Sequence, residues 1–135
     1  MKNKLKNILL VGGSSKLGLS IIKNLDFKKY NVYSTYYKNK ILNKSSNKIN
    51  QFKIDLSDNK KIKSFIKKIK IDFDIVLFLQ GELHGKALKK FSIKDINRNI
   101  NINFTSQSII LKSLVQKQKR NCFVIFISSI SAVKG

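Results

Sequence analysis

Apolar residues along this chain fall into two alternating patterns: short unbroken runs, and stripes with helical spacing of three or four. Asn7 to Val11 is such a run and predicts a first strand. A helix follows over Lys16 to Leu25, with Leu17, Ile21, Ile22 and Leu25 on one face. Asn31 to Thr35 predicts a second strand. The polar stretch Asn39 to Asn50 reads as loop with a short helical turn, and Ile49 to Ile54 as a third strand. Ser57 is placed to cap a helix whose apolar face is Ile62, Phe65, Ile66 and Ile69. Asp74 to Leu79 is nearly all apolar and predicts a buried strand, and Gln80 to Lys90, with Gly81 and Gly85, a loop. Ser92-Ile93-Lys94-Asp95 has the form of a capping box and opens a long helix towards Lys117. Cys122 to Ile127 predicts a fifth, buried strand, and Ser128 to Gly135 the loop beyond it.

Strands apolar on both faces and separated by helices imply a parallel sheet covered on both sides, with right-handed crossovers. The expected fold is a Rossmann-type doubly wound α/β sheet, five strands in the order 3-2-1-4-5, with residues 1–135 forming a single domain. Ligands of such sheets bind beyond the carboxyl ends of the strands. The Gly12 turn, Asp55, Gly81 and Ser129 all fall at strand carboxyl ends, and that convergence marks a site.

Composition narrows the function classes. The chain has 135 residues, 42% of them hydrophobic, enough for a packed core, and it has no apolar stretch of about 18 residues that would cross a membrane. Basic Met1 to Lys6 followed by apolar Ile8 to Val11 superficially resembles a signal peptide, but the run is short and ends in a glycine turn, so a cytoplasmic protein is expected. The single cysteine, Cys122, fits a reducing compartment and begins a strand, which suits a small core hydrophobe. The net charge of +21 raises nucleic acid or an acidic surface as partner. Nearly all of that charge is scattered lysine; Arg98 and Arg120 are the only arginines, and aromatics are not interleaved with the cations. Lysine on solvated faces of a chain rich in Lys, Asn and Ile is the preferred explanation, and nucleic-acid binding ranks last. His84 stands without an acid or second ligand nearby in sequence and reads as structural or solvated; no metal-ligand cluster is evident.

The candidate chemistry begins at Val11-Gly12-Gly13-Ser14-Ser15-Lys16-Leu17-Gly18, a strand running through a glycine-serine turn into a helix. Backbone N–H groups and the helix dipole there point at an anion, so Ser14, Ser15, Lys16 and Leu17 are phosphate-binding candidates. Gly12 permits the tight turn and Gly18 the close packing of helix on strand. These features resemble the short-chain dehydrogenase/reductase family over essentially the whole chain. The family turn is T-G-x-x-x-G-x-G; here Val11 stands for the threonine and Lys16 for the middle glycine.

The resemblance implies a nicotinamide cofactor. The second strand ends in Thr35-Tyr36-Tyr37-Lys38 with no acid for a ribose 2′-hydroxyl. Tyr36 and Lys38 are cofactor-binding candidates, and the Lys38 cation leans towards NADP, with NAD as the alternative and a merely solvated Lys38 as the plain reading. Asp55-Leu56 matches the family pair that contacts adenine, though Asp55 also suits a helix cap. Phe78-Leu79-Gln80-Gly81 is a degenerate form of the family's Asn-Asn-Ala-Gly, in which Gln80 and Gly81 keep a polar group and a close backbone.

Asn103 aligns with the asparagine of the family's catalytic tetrad, where it supports a proton-relay water, and Ser129 with its serine, which orients the substrate oxygen. The family's Tyr-x-x-x-Lys does not occur among residues 130–135, and Tyr30, Tyr33, Tyr36 and Tyr37 lie by the second strand. The expectation is thus the cofactor-binding portion of an oxidoreductase that interconverts a small carbonyl and an alcohol, inactive without the missing pair and homo-oligomeric at full length. A non-catalytic nucleotide-binding or regulatory module is the alternative.

Overall fold

The structure is a computed structural model that describes residues 4–42, 46–82 and 88–128. Among these residues, β1 (Lys6–Val11), β2 (Tyr30–Tyr36), β3 (Ile49–Lys53), β4 (Ile75–Phe78) and β5 (Phe123–Phe126) form one sheet in the order β3-β2-β1-β4-β5. Every neighbouring pair is parallel. This is the expected doubly wound arrangement.

Two-residue periodicity sorts the strand side chains between two cores. Leu9, Val11, Val76 and Phe78 point to one face, where Ile62, Phe65 and Ile66 of α2 (Asn59–Lys68) cover them together with Ile110 and Leu114 of a later helix. Ile8, Leu10 and Val32 point to the other face and meet Ile22 of α1 (Lys16–Asn24), with Ile41 and Leu79 completing the cluster. The central strand β1 is sealed on both sides, which is why Ile8 to Val11 had to be apolar throughout.

The long stretch after Ser92 is continuous but not uniform. It runs as α3 (Ile93–Ile100), a π-helical turn (Asn101–Thr105) and α4 (Ser106–Lys117). Ser92 and Asp95 form the reciprocal capping box that the sequence predicts. The π turn was not expected; there the Ser106 N–H reaches back five residues to the Asn101 carbonyl.

Two local expectations are corrected. Asp58, not Ser57, caps α2: its carboxylate accepts from the N–H groups of Lys60 and Lys61. Ser57 is drawn away because its hydroxyl donates to Asp55 Oδ1 at 2.6 Å. Nor is β5 buried. Phe123 is 78% exposed, and β5 is the outer strand of the sheet among the described residues. Val124 and Phe126 face the α2 side, where Phe126 stacks on Phe78, and Cys122 is only partly buried. No helix among the described residues is long and apolar enough to cross a membrane.

At the amino ends of the strands, Asp72 and Asp74 tie the sheet together. Asp74 Oδ2 accepts from the Asn7 N–H at 2.7 Å, and Arg120 pairs with Asp74 at 3.4 Å and Asp72 at 3.7 Å.

Gly18 is the tightest point between α1 and the sheet. A Cβ there would fall 2.6 Å from the carbonyl carbon and Cα of Gly13, backbone that cannot step aside. Alanine gains up to about 1 kcal/mol in helix propensity. Overpacking against backbone costs about 1–3 kcal/mol and wins. Gly18→Ala is therefore expected to lower unfolding free energy by about 1–2 kcal/mol net in urea titrations; an unchanged midpoint would show that α1 is free to shift.

Candidate functional site

The strand-to-helix turn after β1 is built by three constraints. Gly12 has φ +82°, a backbone region that side-chain-bearing residues avoid, and a Cβ on it would lie 2.9 Å from Gln80 Cα. Its N–H donates to the Oγ1 of buried Thr35 at 2.8 Å, and its carbonyl accepts from the Ser15 N–H at 3.0 Å. Ser15 caps α1, its Oγ accepting from the Gly18 N–H at 3.1 Å. The first N–H groups of a helix lack intrahelical partners. With Gly18 capped, those of Lys16 and Leu17 remain to face an anion.

Beside this turn a cleft of about 240 Å³ opens beyond the carboxyl ends of β1 to β4. Gly12, Ser14 and Ser15 line it from the turn, Tyr36 and Tyr37 from the end of β2, Asp55 and Leu56 from beyond β3, and Gln80, Gly81 and Glu82 from beyond β4. Arg98 and Ile102 close it from α3 and the π turn. The site residues of the sequence thus converge, with differences. Lys16 and Leu17 are exposed and Gly18 is buried beneath the turn; none of the three lines the cleft. Lys38 is exposed just past β2, outside the lining. Asn103 is outside the lining but bonded to the backbone of Glu82, which is part of it. Ser129 and His84 fall outside the described residues.

Arg98 and Glu82 were not singled out by the sequence, yet they organise one end of the cleft. Arg98 Nε donates to both Glu82 carboxylate oxygens, at 2.8 and 3.2 Å. Its Nη1 donates to Ser57 Oγ at 2.9 Å and lies 3.9 Å from Asp55 Oδ1. The hydrogen bond to Glu82 raises the Arg98 pKa still further above its already high value. Burial pushes the Asp55 carboxyl up, but two hydrogen bonds from Ser57 and the charges of Arg98 and Lys61 outweigh it and hold the group below the ordinary carboxylate value.

Asn103 holds the loop after β4 by its backbone. Its Oδ1 accepts from the Glu82 N–H at 3.0 Å, and its Nδ2 donates to the Glu82 carbonyl at 3.1 Å and to Asn99 Oδ1 at 2.7 Å. Gln80 contributes the one buried side-chain polar atom among the described residues without a partner, Oε1; its Nε2 is 3.5 Å from Ser106 Oγ. A glycine turn running into the capped start of a helix, with Ser14 and Ser15 on the cleft, fits a phosphate-bearing ligand. No group of three potential metal ligands occurs among the described residues.

A lowered carboxyl pKa stabilises the fold at pH above the unfolded value, near 3.8, and that contribution is lost as pH falls through the folded value. Asp55→Asn should therefore be less stable than the parent at neutral pH, and the gap should narrow as pH falls below about 4. Urea midpoints of both chains from pH 7 to 3 check this; a gap of constant size over that range would assign the loss to something other than the Asp55 charge.

The same architecture recurs in known proteins. A structure of a short chain dehydrogenase from Leptospira borgpetersenii serovar Hardjo-bovis with bound NAD+ superposes with a TM-score of 0.86 at 15% identity, over 96% of this chain and 54% of that one. One from Burkholderia cenocepacia in complex with NADP gives 0.79 at 18% identity, over 99% and 59%. An uncharacterized oxidoreductase of Schizosaccharomyces pombe is 25% identical over 137 residues, 97% of this chain and 47% of the relative. The chain thus spans about half the length of the proteins it matches. Residues 6–135 match the sequence model described as short chain dehydrogenase, and with the sheet order and the glycine turn already in place, this chain belongs to the short chain dehydrogenase family.

Proposed function

We propose that this cleft binds a nicotinamide dinucleotide, NADP in preference to NAD, and that the chain is the cofactor-binding part of an oxidoreductase acting on a small carbonyl or alcohol. The observation that carries the reading is the meeting of the Gly12 turn, the Ser15 cap of α1 and the ends of β1 to β4 around one cleft. The NAD+ and NADP held by the Leptospira and Burkholderia structures support a nicotinamide cofactor here.

Lys16 and Leu17 present N–H groups to the pyrophosphate. Asp55 and Leu56 border the base, and Gln80 lines the cleft where the ribose would lie. Lys38 extends past Tyr36 towards a 2′-phosphate. When bound, the dinucleotide supplies the hydride. Ser129 orients the substrate oxygen, and Asn103, through Glu82, holds the loop that carries Gly81 beside the reacting end. We also propose a homo-oligomer. Ile93, Ile100, Phe104 and Val115 leave apolar side chains 51–75% exposed along the α3–α4 stretch, and such a row suits a second copy.

NADPH is expected to bind about two- to fivefold more tightly than NADH, the reach of one exposed charge pair. Lys38→Ala should remove that preference and leave NADH affinity unchanged. Calorimetry at about 0.15 M salt checks both, because screening over about 8 Å suppresses the general pull of the basic surface. Equal affinities in the parent chain would dismiss Lys38 as the reader.

These 135 residues alone are expected to bind the dinucleotide and show no turnover. Positioned general acids contribute about 10²–10⁴-fold, and neither the Ser129 hydroxyl nor the Asn103 amide supplies one. An assay with NADPH and a panel of ketones and aldehydes, beside a version extended through a Tyr-x-x-x-Lys segment, measures this. Equal rates in the two would place the acid among the present residues.

A further inference from the structure

We infer that Arg98 is a specificity-determining residue for the base of the ligand, a rigid flat cation forming one wall of the cleft against a purine ring. This rests on reading the cleft as a dinucleotide site. A guanidinium offers two recognition surfaces, an edge of N–H donors and two flat faces that stack on aromatic rings. Here the edge is held at two points, Nε by Glu82 and Nη1 by Ser57, with Asp55 beside it. Those partners come from beyond β3 and beyond β4, while Arg98 itself sits on α3, so three separate segments fix its plane. Its side chain remains 31% exposed and lines the cleft. Tyr37 stands near it, the guanidinium carbon 5.9 Å from the ring centroid.

What this corner recognises follows from charge. Glu82 and Asp55 already neutralise the guanidinium, so it is not a ready phosphate site. Phosphate belongs at the open N–H groups of α1 instead. A neutral, electron-rich, planar ring suits the flat cation, and Leu56 and Ile102 offer apolar contact to the same ring. Recognition is then divided: the turn after β1 takes the phosphates of any nucleotide, and Arg98 favours a purine.

The probes are ADP and inorganic pyrophosphate, titrated calorimetrically into the 135-residue chain at about 0.15 M salt. ADP affinity should fall about two- to thirtyfold in Arg98→Met, the range of a cation–π contact. It should fall in Arg98→Lys as well, because an ammonium has no flat face. Pyrophosphate affinity should stay the same in both. Should either variant fail to fold, the parent chain still decides: ADP, and not pyrophosphate, should move the Arg98 side-chain NMR signals upfield by ring current. Binding of ADP without that shift, or undiminished ADP binding by Arg98→Met, overturns the inference while the dinucleotide reading stands. So does an equal loss for ADP and pyrophosphate, which would make Arg98 a strut for the loops. If the parent chain binds neither ADP nor NADPH, the dinucleotide reading itself falls, and the inference with it.

Discussion

Everything at the carboxyl end of the sheet depends on how closely α1 is pressed against β1. The approach is set by two missing side chains. Gly18 lets the helix lie on the Gly13 peptide, and Gly12 takes a left-handed turn against the backbone of Gln80. The first contact aims the start of α1 at the cleft. The second brings the exit of β4 level with the exit of β1, a height also set by the Leu79 N–H donating to the Val11 carbonyl at 2.9 Å. Widening either gap would separate the helix terminus from the other strand ends, and the groups now sharing one cleft would no longer face a common ligand.

The two arginines have a different part from the many lysines. Each lies between two carboxylates that belong to different positions in the chain: Arg98 between Glu82 and Asp55, Arg120 between Asp72 and Asp74. One node is at the carboxyl ends of the strands and the other at the amino ends. A planar fork of donors can bridge two acids at fixed angles, which a lysine ammonium does poorly. With only seven acidic residues in the chain, placing four of them at these nodes concentrates most of the acidic charge where geometry is needed. The lysines, in contrast, mostly cover solvated surface, as their scattering implies.

Much of the fold was legible because its cause is local. Unbroken apolar runs mark strands sealed on both faces, and the Ser92–Asp95 box and the Gly12 turn carry their geometry within a few residues. What stayed hidden depends on distance along the chain. The Ser57 hydroxyl is diverted by Asp55 and Arg98, so the cap passes to Asp58. Arg98 meets Glu82 across 16 residues and Ser57 across 41, separations that leave no periodic trace. Phe123 reads as core by composition, yet it is exposed on the outer strand of the described sheet. The π turn lies where one rod serves two partners, with Asn103 fixed by Glu82 on one side and Ile110 and Leu114 packed in the core on the other, and neither contact is periodic in sequence.

That turn also constrains how the chain can change in length. An i to i+5 turn holds one residue more than an α turn, and the surplus lets two helical registers coexist in one rod. Residues before it aim Arg98 at the cleft, and residues after it aim Ile110 and Leu114 at the sheet. Each residue of an α-helix advances the direction of its side chains by about 100°, from 3.6 residues per turn. Losing one codon between Asn101 and Thr105 would remove that surplus and leave an ordinary α turn with both registers in place, whereas losing one from within α3 or α4 would turn the side chains beyond it by that angle. Losing one from an exposed loop would do nothing comparable. The π turn is therefore the place where the segment that joins the cleft to the core can give up a residue, while the helices on either side of it cannot.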